Sequence, residues 1–277
     1  MANAEITYGP RLVGSSTGSL RAALLVRPNE VIEKLPPLIG EPAPIYRRAV
    51  EQHGILCKTL AYYGVDVTVI DAIQDEPLAA AANDLAVCFE NGALLMRPSW
   101  LSRRAEVERL EAEFARLDIP LCGAIAAPGI LDGSDVLLAG STAFIGVSRR
   151  SNALGRAAFA ECAREHGYDC VEVKLDSRAP SLRSVASAVS KDTIVVATER
   201  VDEAAFSGLR LVRLERGEEL GAGVFALGDG RVIASMRYRT SLNQIRRAGI
   251  AVESIDLYDF GKVGIVPADL ILALKRA

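Results

Sequence analysis

Short apolar runs and one-faced helical stretches alternate along this chain in a pattern that recurs five times: strand, turn, strand, amphipathic helix, strand. Residues 20–26 predict a first strand, 45–63 contain the first helix, and 65–70 predict the strand that follows. The second unit reads as strands 85–89 and 93–96 joined by an Asn91-Gly92 turn, then helix 102–117 and strand 120–125. Within that helix Val107, Leu110, Phe114 and Leu117 fall on one face. The third unit has strands 136–139 and 143–148 about Gly140-Ser141-Thr142, helix 153–166 and strand 169–175. The fourth has strand 193–197, a short helix near 201–206 and strand 209–214. The fifth has strands 224–227 and 231–235 about Gly228-Asp229-Gly230, helix 241–248 and strand 251–257. A last apolar strand, 270–274, closes the series.

A repeat of about 40–55 residues points to stacked or radially arranged units, each with too little apolar surface to stand alone. Gly64, Gly167 and Gly249 each follow a helix and precede a strand, as left-handed C-caps do. Five units and a closing strand predict a ring whose first and last units meet: one α/β domain spanning residues 1–277. A doubly wound parallel sheet is the competing architecture, and the Gly-containing hairpins ahead of the helices argue against it.

Composition narrows the function classes. The 277 residues are 50% hydrophobic and 24% charged, a globular balance. A net charge of −3 gives no electrostatic reason to expect nucleic acid or an anionic membrane as partner. No apolar run approaches the ~18 residues of a membrane span. The opening MANAEITYGP lacks a basic stretch followed by an apolar one, so no signal peptide is expected. Five scattered cysteines without a Cys-x-x-Cys pair read as reduced thiols of a cytoplasmic protein.

Conventional catalysts are scarce. Both histidines, His53 and His166, fall in helices, so a Ser-His-Asp or Cys-His arrangement is not expected. No phosphate loop or paired-histidine metal helix occurs, and no cofactor or metal is called for. The acids are more informative. Asp132 and Asp135 belong to a tight Asp-Gly-Ser-Asp turn, and Glu90 ends a strand two residues after Cys88, on the same side. That neighbour is expected to raise the Cys88 pKa. Asp269 stands at the mouth of the otherwise apolar last strand, a costly place for a lone carboxylate. Among the bases, Arg103 and Arg104 open the second helix, where cations oppose the helix dipole. Arg149 and Arg150 precede Asn152, a good N-cap. The segment 131–155 thus puts carboxylates and Arg150 at opposite ends of one hairpin, which suits a ligand carrying both a cation and an anion.

The segments Arg-Pro-Ser-Trp-Leu-Ser-Arg-Arg-Ala-Glu-Val (97–107), Asp-Gly-Ser-Asp (132–135) and Gly-Val-Ser-Arg-Arg-Ser-Asn-Ala-Leu-Gly (146–155) carry a family resemblance. The chain resembles the dimethylarginine dimethylaminohydrolases and their relatives, the arginine deiminases and amidinotransferases. These share the five-bladed α/β propeller called the pentein fold. The resemblance runs over residues 20–274 and implies five ββαβ units around a channel. In that family a cysteine near the C-terminus attacks the guanidinium carbon, a histidine acts as acid and base, acids hold the guanidinium, and arginines hold the amino-acid carboxylate. Carried over by position, the cysteine falls on Asp269 and the histidine on or near Ser181. The turn's glutamate becomes Asp132, and a guanidinium-holding aspartate becomes Glu90. Asp135, Arg104 and Arg150 match in type.

The resemblance therefore implies a small cationic substrate, with Asp269, Asp132 and Ser181 as catalytic residues. Glu90, Asp135, Arg104 and Arg150 would bind that substrate, and the acids would converge on the channel floor. The reaction expected is on a C–N bond of an arginine-like guanidino or amidino molecule, by carboxylate rather than thiol chemistry. The alternative is an inactive pentein that binds a cationic amino acid or a protein partner. A homodimer is kept open.

Overall fold

The structure, a computed structural model, describes residues 11–73 and 75–277; the N-terminal decapeptide read above for a leader lies outside them. Its strands form five separate three-stranded sheets. The first unit holds β1 (Leu20–Val26), helix α1 (Tyr46–Tyr62) and β2 (Asp66–Ile70). The second holds β3 (Ala86–Cys88), β4 (Ala93–Leu95), α2 (Arg104–Arg116) and β5 (Leu121–Ala124). The third is β6 (Val136–Ala139), β7 (Thr142–Val147), α3 (Ala153–Glu165) and β8 (Asp169–Lys174). The fourth is a one-turn helix α4 (Leu182–Val185), β9 (Ala186–Ser190), β10 (Thr193–Val196) and β11 (Arg210–Arg213). The fifth is β12 (Phe225–Gly228), β13 (Arg231–Ser235), α5 (Arg239–Arg247) and β14 (Ala251–Ile255). Two one-turn helices, α6 (Tyr258–Gly261) and α7 (Pro267–Leu270), then lead into β15 (Leu272–Arg276).

Each sheet follows one rule: the inner strand runs antiparallel to the middle one, which runs parallel to the outer one. The parallel step needs a crossover, and the amphipathic helix of units one, two, three and five supplies it. Unit one lacks an inner strand of its own, and β15 supplies it by pairing with β1. The chain's end thereby closes the ring, as the lone apolar run 270–274 anticipates. β9 escapes the sequence pattern because Ala-Ser-Ala-Val-Ser is small and weakly apolar, although Ala186 to Val189 are all buried.

The helices pack on the sheets through the faces their spacing predicts. Leu110 and Phe114 of α2 are fully buried, with Val107 and Leu117 partly buried beside them. Burying each large apolar side chain is worth about 1.5–3 kcal/mol. The Asn152 side chain caps α3, accepting from the Gly155 amide at 2.8 Å. The five inner strands, β3, β6, β9, β12 and β15, line one central cavity of about 80 Å³. Among the described residues no helix is long and apolar enough to cross a membrane.

Candidate functional site

Every inner strand is preceded by a single turn of helix: residues 82–84 before β3, 133–135 before β6, α4 before β9, 219–222 before β12, and α7 before β15. These turns touch one another in a ring at one mouth of the channel. A short helical turn satisfies its backbone hydrogen bonds locally, so polar residues there can be buried without breaking a sheet ladder. Glycine lets the turns close up. A Cβ on Gly133 would stand 1.9 Å from the Asn83 carbonyl, and one on Gly146 would stand 2.9 Å from the Asp135 carboxylate.

Four acids sit on or beside this ring. Asp84 and Asp135 are fully buried, Asp132 is 1% exposed and Asp269 6%. Two arginines come in from neighbouring loops. Arg103, 1% exposed, donates to Asp84 at 2.5 Å, to Glu106 at 2.6 Å and to the Ala81 carbonyl at 3.0 Å. Arg150 Nη1 reaches Asp84 at 3.3 Å and Asp132 at 3.2 Å. Asp132 also accepts from the Ser99 amide at 2.6 Å and hydroxyl at 3.1 Å. Asp135 accepts from the Leu182 amide at 2.9 Å and from the Ser148 hydroxyl. Asp269 accepts from the Val266 amide at 3.0 Å through one oxygen, while its other oxygen, Oδ1, is buried with no hydrogen-bond partner.

The electrostatics separate these acids. Burial alone would push Asp84 up, but Arg103 and Arg150 overcome it and hold the carboxyl below its ordinary range. Burial and the Asp84 charge push Asp132 to about 6, against the pull of Arg150. Burial carries Asp135 to about 7 despite its hydrogen bonds. Asp269 is pushed to about 6, again by burial first and by Asp84 second, with Arg150 and Arg183 opposing. Near neutral pH the mouth therefore holds one firmly ionised carboxylate and three poised to exchange a proton, the condition that acid–base chemistry needs.

Several sequence expectations change. Asp269 lies on α7, one turn before the strand, not in the strand's first position. Ser181 caps α4, its hydroxyl oxygen accepting from the Ser184 amide at 3.2 Å. Arg150 and the Asp132 turn are adjacent, because β6 and β7 are antiparallel and bring the two ends of the hairpin together. Glu90 does not join the acids: its half-exposed side chain pairs with Arg11 at 3.1 Å. Nor does it act on Cys88, whose thiol is pushed to about 12 by burial and then by Cys122. Arg104 opens α2 partly buried, its Nε without a partner. The arginine that clamps the acids from this segment is its neighbour Arg103.

Sequence reasoning passed over Asp84 and Arg183, and noted Arg103 as a misplaced helix-opening cation without giving it a place in the site. Asp84 carries the same signal as Asp269, a carboxylate after small apolar residues and just before an apolar strand. The cysteines are all free. Among the described residues one trio, Cys122, Cys162 and His166, has ligand atoms within 4.8 Å of one another, on β5 and at the end of α3 rather than on the ring. His166 Nδ1 is already 2.9 Å from the Cys162 carbonyl.

No family model matches the chain. Over 220 residues it is 26% identical to the dimethylarginine dimethylaminohydrolase of Pseudomonas aeruginosa, covering 79% of this chain and 86% of that protein. It is 29% identical over 215 residues to the dimethylarginine dimethylaminohydrolase of Streptomyces coelicolor, covering 78% and 81%. A cysteine-to-serine variant of the P. aeruginosa protein complexed with citrulline matches the fold with a TM-score of 0.82 at 22% identity, over 92% of this chain and 99% of that one. SxtG, an amidinotransferase of the saxitoxin biosynthetic pathway from Microseira wollei, matches with a TM-score of 0.77 at 14% identity, over 96% and 97%.

Proposed function

We propose that the chain, whose fold is that of the penteins, acts on a C–N bond of an arginine-like guanidino or amidino small molecule without a thiol. The observation that carries this reading is Asp269. It is a buried carboxyl with one unpartnered oxygen, pushed up to about 6, and it feels Asp84, Arg150 and Arg183 through space. A group of that pKa is largely ionised at neutral pH and can serve as a general base on water. The named activities of the relatives, on dimethylarginine and by amidino transfer, point to the same class of substrate.

In this reading Arg150 is a placeholder. Its own guanidinium spans Asp84 and Asp132, the pair that a substrate guanidinium would use. Its side chain is 20% exposed, so it can leave toward the mouth as substrate enters and then hold the substrate's carboxylate bidentately. Asp84 and Asp132 hold the cationic group, with Asp135 beside them, and stabilise charge at the reacting carbon. Asp269 takes a proton from water, whose oxygen bonds to the guanidinium carbon. The C–N bond then breaks, and Asp269 returns the proton to the departing nitrogen. Ser181 orients the water. Arg104 supplies a second cation for the substrate's anionic end, and Glu90, paired with Arg11, takes no part.

The inactive-binder reading has one observation in its favour: the acid pair is already satisfied by Arg150. A mass-spectrometric screen of guanidino and amidino compounds against the wild type and Asp269→Asn separates the two. Product from the wild type that is absent with the variant supports the enzyme. Calorimetric binding without product supports the binder. Turnover equal in both proteins removes Asp269 from the chemistry.

A further inference from the structure

The central cavity behind the ring has the opposite character. Arg183, on α4, and Arg276, at the end of β15, both line it. Among the described residues neither makes an ion pair. Arg276, only 6% exposed, donates to the Gly18 and Ala226 carbonyls at 2.8 Å each. Arg183 donates to the Asn83 side-chain oxygen, and its Nε is buried without a partner. The two guanidiniums lie 5.8 and 5.0 Å from the centre of one ring, that of Phe225.

Two further polar atoms on this wall are buried and unpartnered: the Asn83 amide nitrogen and the Ser187 hydroxyl, on residues 4% and 3% exposed. An arginine Nε–H and an amide NH₂ can only donate. A hydroxyl can join them as a donor. Two positive charges and three orphan groups thus surround one small space without a hydrogen-bonded carboxylate. Buried charge without a counter-charge is strongly unfavourable, and carbonyls and a ring face offset it only in part. Burial lowers Arg183 to about 10, and burial followed by Arg183 lowers Arg276 to about 9, so both remain cations at neutral pH. Asp269 and Asp84 support Arg183 through space without bonding to it.

We infer that this cavity is an internal anion site, in which a small anion of halide, nitrate or formate size sits between Arg183 and Arg276 and accepts from Asn83 and Ser187. The volume of about 80 Å³ admits such an ion with a water or two and excludes a sugar acid. This inference is independent of any catalysis at the ring, since it uses none of the carboxylates there.

The test is thermal unfolding at fixed ionic strength with the sodium salt of bromide, nitrate or formate against gluconate, in the wild type, Arg276→Met, Arg183→Met and the milder Ser187→Ala. An anion that binds only the folded state raises its stability by mass action. At ten times its dissociation constant the wild-type midpoint should rise by roughly 3–6 °C over gluconate. The arginine variants should lose that difference, and Ser187→Ala should reduce it. A bromide-soaked crystal should show its anomalous peak between the two guanidiniums. An equal rise in all four proteins, no rise in the wild type, or a cavity holding water alone in the bromide crystal would overturn the inference.

Discussion

The Ala82–Asp84 turn divides two charged interiors that are built on different terms. On one side Asp84 meets Arg103 and Arg150, and each buried charge there finds an opposite charge within about 3.3 Å, Asp269 and Asp135 excepted. On the other side Asn83 meets Arg183, and the two arginines of the channel are solvated by carbonyls, an amide and an aromatic face. The first arrangement is held fast at Arg103, the cation that Asp84 and Glu106 share, while Arg150 at its edge is partly exposed. The second is open, because its cations have spare donors.

The largest effect should come from breaking the matched side. Arg103→Met leaves Asp84 and Glu106 buried without their shared cation, and urea denaturation should show a loss of about 3–5 kcal/mol. Arg276→Met, on the unmatched side, removes a charge that no carboxylate awaits, and in gluconate it should cost clearly less than Arg103→Met. Equal losses would erase the distinction between the two interiors.

Asp269→Asn sharpens the comparison through pH. The folded Asp269 carboxyl holds its proton up to about 6, against 3.8 for its ordinary value. Between these values the folded state binds more protons than the unfolded one, so this group's contribution to stability falls as pH rises through that window and stays lost above it. The amide cannot ionise, so Asp269→Asn should unfold at higher urea than the wild type at pH 7.5, by about 2–3 kcal/mol at most, and match it near pH 4. The same variant should abolish product formation. Wild-type turnover should climb with pH through about 6, as a base with that pKa loses its proton.

Smaller effects lie outside both interiors. Asn152→Ala removes the cap of α3 and a bond to the Ile130 amide, and should cost about 1 kcal/mol by denaturation. Glu90→Gln breaks only a surface pair with Arg11, and stability should move by less than about 0.5 kcal/mol. A tenfold loss of turnover in Glu90→Gln would return that residue to the site. Thiol alkylation or Cys88→Ala should leave turnover intact, since that thiol is buried and protonated.

The periodicity of the chain determined a good deal alone. Hydrophobic spacing is a local property, and it located the helices α1, α2, α3 and α5 and nearly every strand to within a few residues. The Asn152 cap and the glycine C-caps at Gly64, Gly167 and Gly249, all at positive φ, were legible for the same reason. Asp132, Asp135 and Asp269 were legible as candidates because a carboxylate beside apolar strands is conspicuous in one dimension. What only the tertiary structure decided were the pairings. Nothing along the chain says that the ends of the β6–β7 hairpin bring Arg150 against Asp132, or that Arg103 rather than Arg104 turns inward. Charges separated by tens of residues are matched by ring closure, and the unmatched arginines of the channel become visible only once their neighbours are in place.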